Sequence, residues 1–155
     1  MNIDITQFNV SNIIDSCSIW NILSSETLYS KTISKGCVFG FTKFVEYECL
    51  YKKRRNDKDS DTLRADSKIK DKFKEEINKK HFTCYNISIE DLQSSELLNY
   101  RKRIGYGELS SIAFAKKTSQ YFMTDDQTAR KLANKVLEEK KNPEQVTNLQ
   151  VENYM

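Results

Sequence analysis

A chain of 155 residues, 38% hydrophobic and 30% charged, is long enough for one domain with its own core, has the composition of a soluble globular protein, and shows no internal repeat or low-complexity segment. Four scattered cysteines (Cys17, Cys37, Cys49, Cys84) and a single histidine, His81, argue against a finger-type zinc site. The net charge of +3 is uneven: residues 51–80 carry 12 Lys/Arg against 7 Asp/Glu, an excess of +5 that leaves −2 elsewhere, so a basic segment suited to an anionic partner rides on a faintly acidic body.

In chain order, Ser11–Asp15 (SNIID) is a β-branched run ending in an acid, a buried first strand. Ser18–Leu23 (SIWNIL) reads as a helix with Ser16 or Ser18 as its cap. Cys37–Thr42 is a second strand, and Lys43–Arg55 a helix with Phe44, Val45, Cys49 and Tyr51 toward one side. A polar break at 56–62 precedes a charged helix over Leu63–Lys80, whose Ile69, Phe73 and Ile77 form one narrow apolar stripe. Phe82–Ile87 is a third strand, and Ser88 with Asp91 opens a helix through Arg103. Past Gly105 and Gly107, Glu108–Lys117 is a helix with Leu109, Ile112, Ala113 and Lys116 on one face. Tyr121–Thr124 is a fourth strand ending at Asp125-Asp126. The next helix sets Ala129, Leu132, Ala133, Val136 and Leu137 at helical spacing, and Pro143 ends it. Residues 144–155 are an edge strand or a loose tail.

Strands alternating with helices predict one α/β domain over 1–155 (core 11–142): three layers, α/β/α, around a mostly parallel sheet of four to five strands. The cysteines sit in apolar stretches and read as small buried hydrophobes, Tyr85, Tyr100, Tyr106 and Tyr121 as core, and His81 as a surface residue. No charged-then-apolar leader and no apolar run of membrane length occur, so the expectation is a reduced, cytoplasmic protein with no membrane partner.

Open α/β sheets place their working site at the carboxyl ends of the strands, and two of these strands end in acids, Asp15 and Asp125-Asp126. Glu108 opens a helix after a glycine turn near the same rim, and Glu48 lies at the edge of a buried helical stripe. Carboxylates converging without histidine repel one another and call for a hard cation, Mg²⁺ or Mn²⁺. One ion, or two ions ~4 Å apart, beside a basic surface points to phosphodiester hydrolysis. The basic runs Lys52-Lys53-Arg54-Arg55 and Arg101-Lys102-Arg103 are the candidate phosphate contacts.

These residues also carry a resemblance. IIDSCSIWNIL resembles the opening of PIN domains, FVEYECLYK their second motif, selecting Glu48 over Glu46, and GYGELSSIAFAKKTSQYFMTDDQTARKLA the branch that reads Gly-Glu, a strand and Asp-Asp-x-x-Ala-Arg. The resemblance spans 11–137 and implies a metal-dependent endoribonuclease with Asp15, Glu108 and Asp126 as principal ligands and Asp125 contributing. It gives Glu48 the positioning of the attacking water or a second ion, with Ser16, Ser18 and Thr124 in support. Cys17 departs from the pattern, standing where many relatives have a small hydroxyl or amide residue. The resemblance further implies an RNA substrate, a toxin or defence role, a homodimer, and restraint by a cognate inhibitor or larger defence-system protein. Set against it are plainer readings. Thr124-x-x-Gln127 is a capping-box pattern in which Asp125 and Asp126 merely favour the helix dipole, and Asp126–Arg130 has surface-pair spacing. The competing functions are a PIN-like module that binds RNA or protein without cutting, and a DNA-directed nuclease with the same acids.

Overall fold

The computed structural model describes residues 10–52 and 59–138. Four strands, β1 (Ser11–Ile14), β2 (Val38–Thr42), β3 (Phe82–Tyr85) and β4 (Tyr121–Met123), run parallel in the order β3-β2-β1-β4. Between them lie α1 (Ser16–Ser24), α2 (Glu26–Ser34), α3 (Lys43–Glu46), α4 (Ser60–Asn78), α5 (Ile89–Leu92), α6 (Ser95–Tyr100) and α7 (Tyr106–Thr118), and α8 (Gln127–Glu138) follows β4. The class is the expected α/β one, with helices on both faces. The tail over 144–155 lies outside the described residues.

A parallel sheet buries both faces, and successive side chains point to opposite ones. Ile13 is level with Phe122, and Ile14 with Met123. Ile14 and Met123 enter a core with Phe39, Phe41, Val45, Phe73 and the apolar side of α1. Ile13 and Phe122 enter a second core with α7 and α8. All five residues spaced along α8 are buried, as the periodicity predicts. Phe73 lies edge-on to Phe82 at 5.6 Å and tilted on Phe41 at 5.1 Å, so it is the fully buried member of the α4 stripe, with Ile69 and Ile77 packed partly buried beside it. Phe73→Ala should cost about 3–5 kcal/mol, read as a lower denaturant midpoint with unchanged slope.

Several elements differ from the sequence reading. α2 is an addition, nucleated by the Ser25 cap with only Leu28 and Thr32 buried. The helix expected over 88–103 divides, because Ser94 caps a second start through Leu97 N–H; the Ser88–Asp91 capping box forms as expected. α3 widens after four residues into a π-helical turn, Tyr47–Tyr51. Val45 and Cys49 stay inside, but the wider turn carries Tyr51 off the stripe, and Phe44 leans outward on Tyr106. α7 is buried almost all round from Leu109 to Ala115 instead of on one face. Its interior tolerates Ser110 and Ser111 because both hydroxyls bond the Gly107 carbonyl, at 2.9 and 2.7 Å.

His81 is no plain surface residue. Its Nδ1 is 2.6 Å from an oxygen of buried Glu76, whose other oxygen accepts from the Tyr29 hydroxyl at 2.6 Å, with Lys79 Nζ at 3.4 Å. Burial raises the Glu76 pKa, but these donors outweigh it and hold the carboxyl below its usual range. This cluster sits at the amino end of β3. The opposite rim is where connections diverge: the chain leaves β1 for β2 on one side and returns to β4 on the other. The carboxyl ends of β1 and β4 thus bracket a topological switch point. Among the described residues, no helix is long and apolar enough to cross a membrane.

Candidate functional site

Asp15 follows β1 directly, and its N–H continues the ladder onto the Met123 carbonyl. It is fully buried and is itself the cap of α1, Oδ1 accepting from Ser18 N–H at 2.9 Å. Neither Ser16 nor Ser18 is the cap, because the helix starts one residue after the strand and only Asp15 has the extended backbone a cap needs. Asp15 Oδ2 accepts a hydrogen bond from the Thr124 hydroxyl. Burial pushes the Asp15 carboxyl up to about 6 against the pull of Thr124 and Ser18, with Asp125 adding repulsion.

Thr124 Oγ1 also accepts from Asp126 N–H at 3.1 Å, and Asp126 Oδ1 accepts from Ala129 N–H at 2.6 Å. Asp126 therefore caps α8, and the Thr124–Gln127 box does not form because the threonine hydroxyl is turned to Asp15. Asp126→Ala should cost about 1 kcal/mol of stability while Asp126→Asn holds the cap, a difference urea melts resolve. Asp125 points outward, Oδ2 accepting from Asn21 Nδ2 at 3.0 Å, and its carbonyl accepts from Arg130 Nη2 at 3.2 Å. Arg130 thus meets the Asp125 carbonyl, not the carboxylate of Asp126.

Glu48 comes from the π turn and is half-buried. Oε2 accepts from the Ser16 hydroxyl at 3.0 Å and Oε1 from Gly107 N–H at 3.3 Å. Glu108 stands in the first turn of α7, where Gly105 caps without a side chain. Its Oε2 is buried with no hydrogen-bond partner. Burial raises the Glu108 pKa; the backbone near Gly105 offsets this in part, and the charges of Glu48 and Asp126 add to it. A Cβ at Gly105 would stand 2.6 Å from Glu108 Oε2, and one at Gly107 2.8 Å from Glu48 Cδ, so either would displace the carboxylate it faces.

Convergence is registered by Cys17, exposed as a residue and not the buried hydrophobe expected. Its thiol is pushed up to about 11, first by desolvation and then by Asp15, Asp125, Glu108 and Glu48. Four acids from four separate segments act on one sulfur. Among the described residues none of the five acids is ion-paired with a Lys, Arg or His. Nor do any three His, Cys, Asp or Glu side chains among them stand together in a way that could hold an ion. The geometry gives the reason: both oxygens of Asp15 and of Glu48, and one each of Asp125 and Asp126, are turned to protein donors. Hard oxygen donors with one orphaned buried oxygen, Glu108 Oε2, nevertheless suit a divalent cation.

Of the basic candidates, Lys52 is exposed beside Glu48, while Lys53, Arg54 and Arg55 lie outside the described residues. Arg101 and Arg103 are exposed in the turn before Gly105, Arg103 resting over the Tyr100 ring at 5.8 Å. Sequence reasoning missed Asn21 and the Gly107 N–H. The first had a signal, a lone amide in the otherwise apolar SIWNIL; the second, a backbone donor, had none. No family model matches the chain, and searches of curated proteins and of solved structures give no match.

Proposed function

We propose that the chain is a PIN-like endoribonuclease that hydrolyses RNA phosphodiester bonds with Mg²⁺ or Mn²⁺, one or two ions. The carrying observation is Glu108 Oε2, a buried carboxylate oxygen without a donor, inside a crowd of acids that no described basic side chain neutralises. An uncompensated cluster of this kind costs stability, and a cation removes that cost. Asp15, Glu108 and Asp126 are the holding acids, with Asp125 beside them. A divalent ion bound there supplies acidity to a water and neutralises charge at the phosphate.

The chain's own contribution is orientation. Ser18 N–H and the Thr124 hydroxyl fix the two oxygens of Asp15, and the Ser16 hydroxyl and Gly107 N–H fix those of Glu48, the acid that positions the water. Lys52 to Arg55 grip phosphates flanking the cut. On the same reading the protein is cytoplasmic and dimeric, a toxin or defence nuclease restrained by a cognate inhibitor or larger defence-system protein.

The second reading, a PIN-like module that binds without cutting, is favoured by the absence of three gathered ligands among the described residues. End-labelled RNA and DNA incubated with the purified protein, in Mn²⁺ or in chelator, separate the functions. RNA cleavage only with metal supports the nuclease, and cleavage of DNA alone moves the substrate. No cleavage of either polymer at any metal level, with Asp15→Asn behaving as wild type, sinks the enzyme reading.

A further inference from the structure

Three aromatic side chains next to the acids face water. Phe44 is 37% exposed, Tyr47 58% and Tyr106 61%, although sequence reasoning places Phe44 and Tyr106 inside. They line an open groove of about 510 Å³ with Lys43, Lys52 and Glu48. Phe44 stands on α3, and Tyr106, between Gly105 and Gly107, at the start of α7. Their rings are stacked, centroids 5.9 Å apart with planes at 24°, so the pair is a preformed aromatic stack that a further ring can extend, with Tyr47 as the neighbouring wall. Glu48 lines the groove and also bonds Ser16 and Gly107 in the acidic site, so the groove and the site are continuous. At the rim, Lys43 is paired with Glu46 at 2.8 Å, whereas exposed Lys52 leads in sequence into Lys53-Arg54-Arg55.

We infer that this groove binds an unstacked nucleobase of a single-stranded nucleic acid, which extends the Phe44–Tyr106 stack, with the adjoining phosphate at Lys52. Flat aromatic faces flanked by cations match a base and its phosphate, and stacking accepts any base because every base has a π-face. A duplex offers no such face, since its bases are stacked on one another. The inference rests on the nuclease reading for its placement: a base held here sets its neighbouring phosphate beside Glu48, and the substrate class becomes single-stranded.

The test uses short single-stranded oligoribonucleotides carrying 2-aminopurine at each position in turn, titrated in chelator, with the same strands then incubated in Mn²⁺. Binding should quench the fluorophore at one position or two adjacent ones, and a duplex of the same sequence should give neither binding nor quenching. Phe44→Leu and Tyr106→Leu, which keep an apolar side chain at exposed sites, should abolish the quenching and weaken binding about tenfold. Binding without quenching at any position, with both variants binding as wild type, overturns the groove, as does failure of the single strand to bind. Cleavage without quenching removes the groove and leaves the nuclease; quenching without cleavage at any metal level does the reverse.

Discussion

On the proposed nuclease reading, Glu108→Gln and Asp15→Asn should each lower Mn²⁺-dependent RNA cleavage by at least on the order of a hundredfold, because loss of even an outer partner of a metal ligand brings 10- to 100-fold. Both substitutions keep side-chain size, remove the charge and turn one acceptor oxygen into an NH2 donor, which at Asp15 costs one of the bonds from Ser18 N–H and the Thr124 hydroxyl. For Glu108 the structural cost is small, since its buried Oε2 satisfies no donor that an amide would then abandon. Single-turnover cleavage and calorimetric titration of Mn²⁺ should fall together. A Glu108→Gln protein cutting at the wild-type rate would remove that residue from the site, whatever became of the others.

The second large effect is on stability, and it has the opposite sign. Folding raises the Asp15 carboxyl from an ordinary 3.8 to about 6. Below pH 4 it is protonated both folded and unfolded. Between pH 4 and 6 the unfolded chain gives up this proton first, so the folded state holds more protons and stability falls as pH rises through about 6. The full loss is about 3 kcal/mol, at 1.36 kcal/mol per pKa unit. Asp15→Asn lacks that proton and escapes the loss. In chelator the variant should melt within a degree or two of wild type at pH 4, and on the order of 5 °C or more above it at pH 8. Mn²⁺ should narrow the gap at pH 8 by stabilising only the wild type. A lower melting temperature for the variant at pH 8 would make Asp15 a structural cap and no more.

Such opposed effects explain what was legible in the residues. Ile13-Ile14-Asp15 announced a strand and its terminal acid because β-branched side chains and a carboxylate have little else in common. α8 was readable because five apolar residues keep one period over nine positions. α2 was not: it buries only Leu28 and Thr32, so its sequence carries almost no stripe, and a single serine cap decides its start. The orientations of Phe44 and Tyr106 were equally hidden, since an exposed aromatic pair reads like a buried one until the chain segments that flank it are placed. The acids of the rim could be counted beforehand, but their donors could not. Asn21, Ser16 and the Gly107 N–H reach them across 104, 32 and 59 residues of chain.

The central position of β1 also has a consequence for synthesis. Asp15 and Thr124 are 109 residues apart, and β4, which brings Thr124, Asp125 and Asp126 to β1, is the last strand described. At about 5–20 residues per second a ribosome needs roughly 5–20 s to span that interval. Throughout it the nascent chain holds the first acid without the last two, so the rim cannot assemble until most of the polypeptide has left the exit tunnel. The rim therefore waits on β4, and a product terminated before β4 lacks Thr124, Asp125 and Asp126.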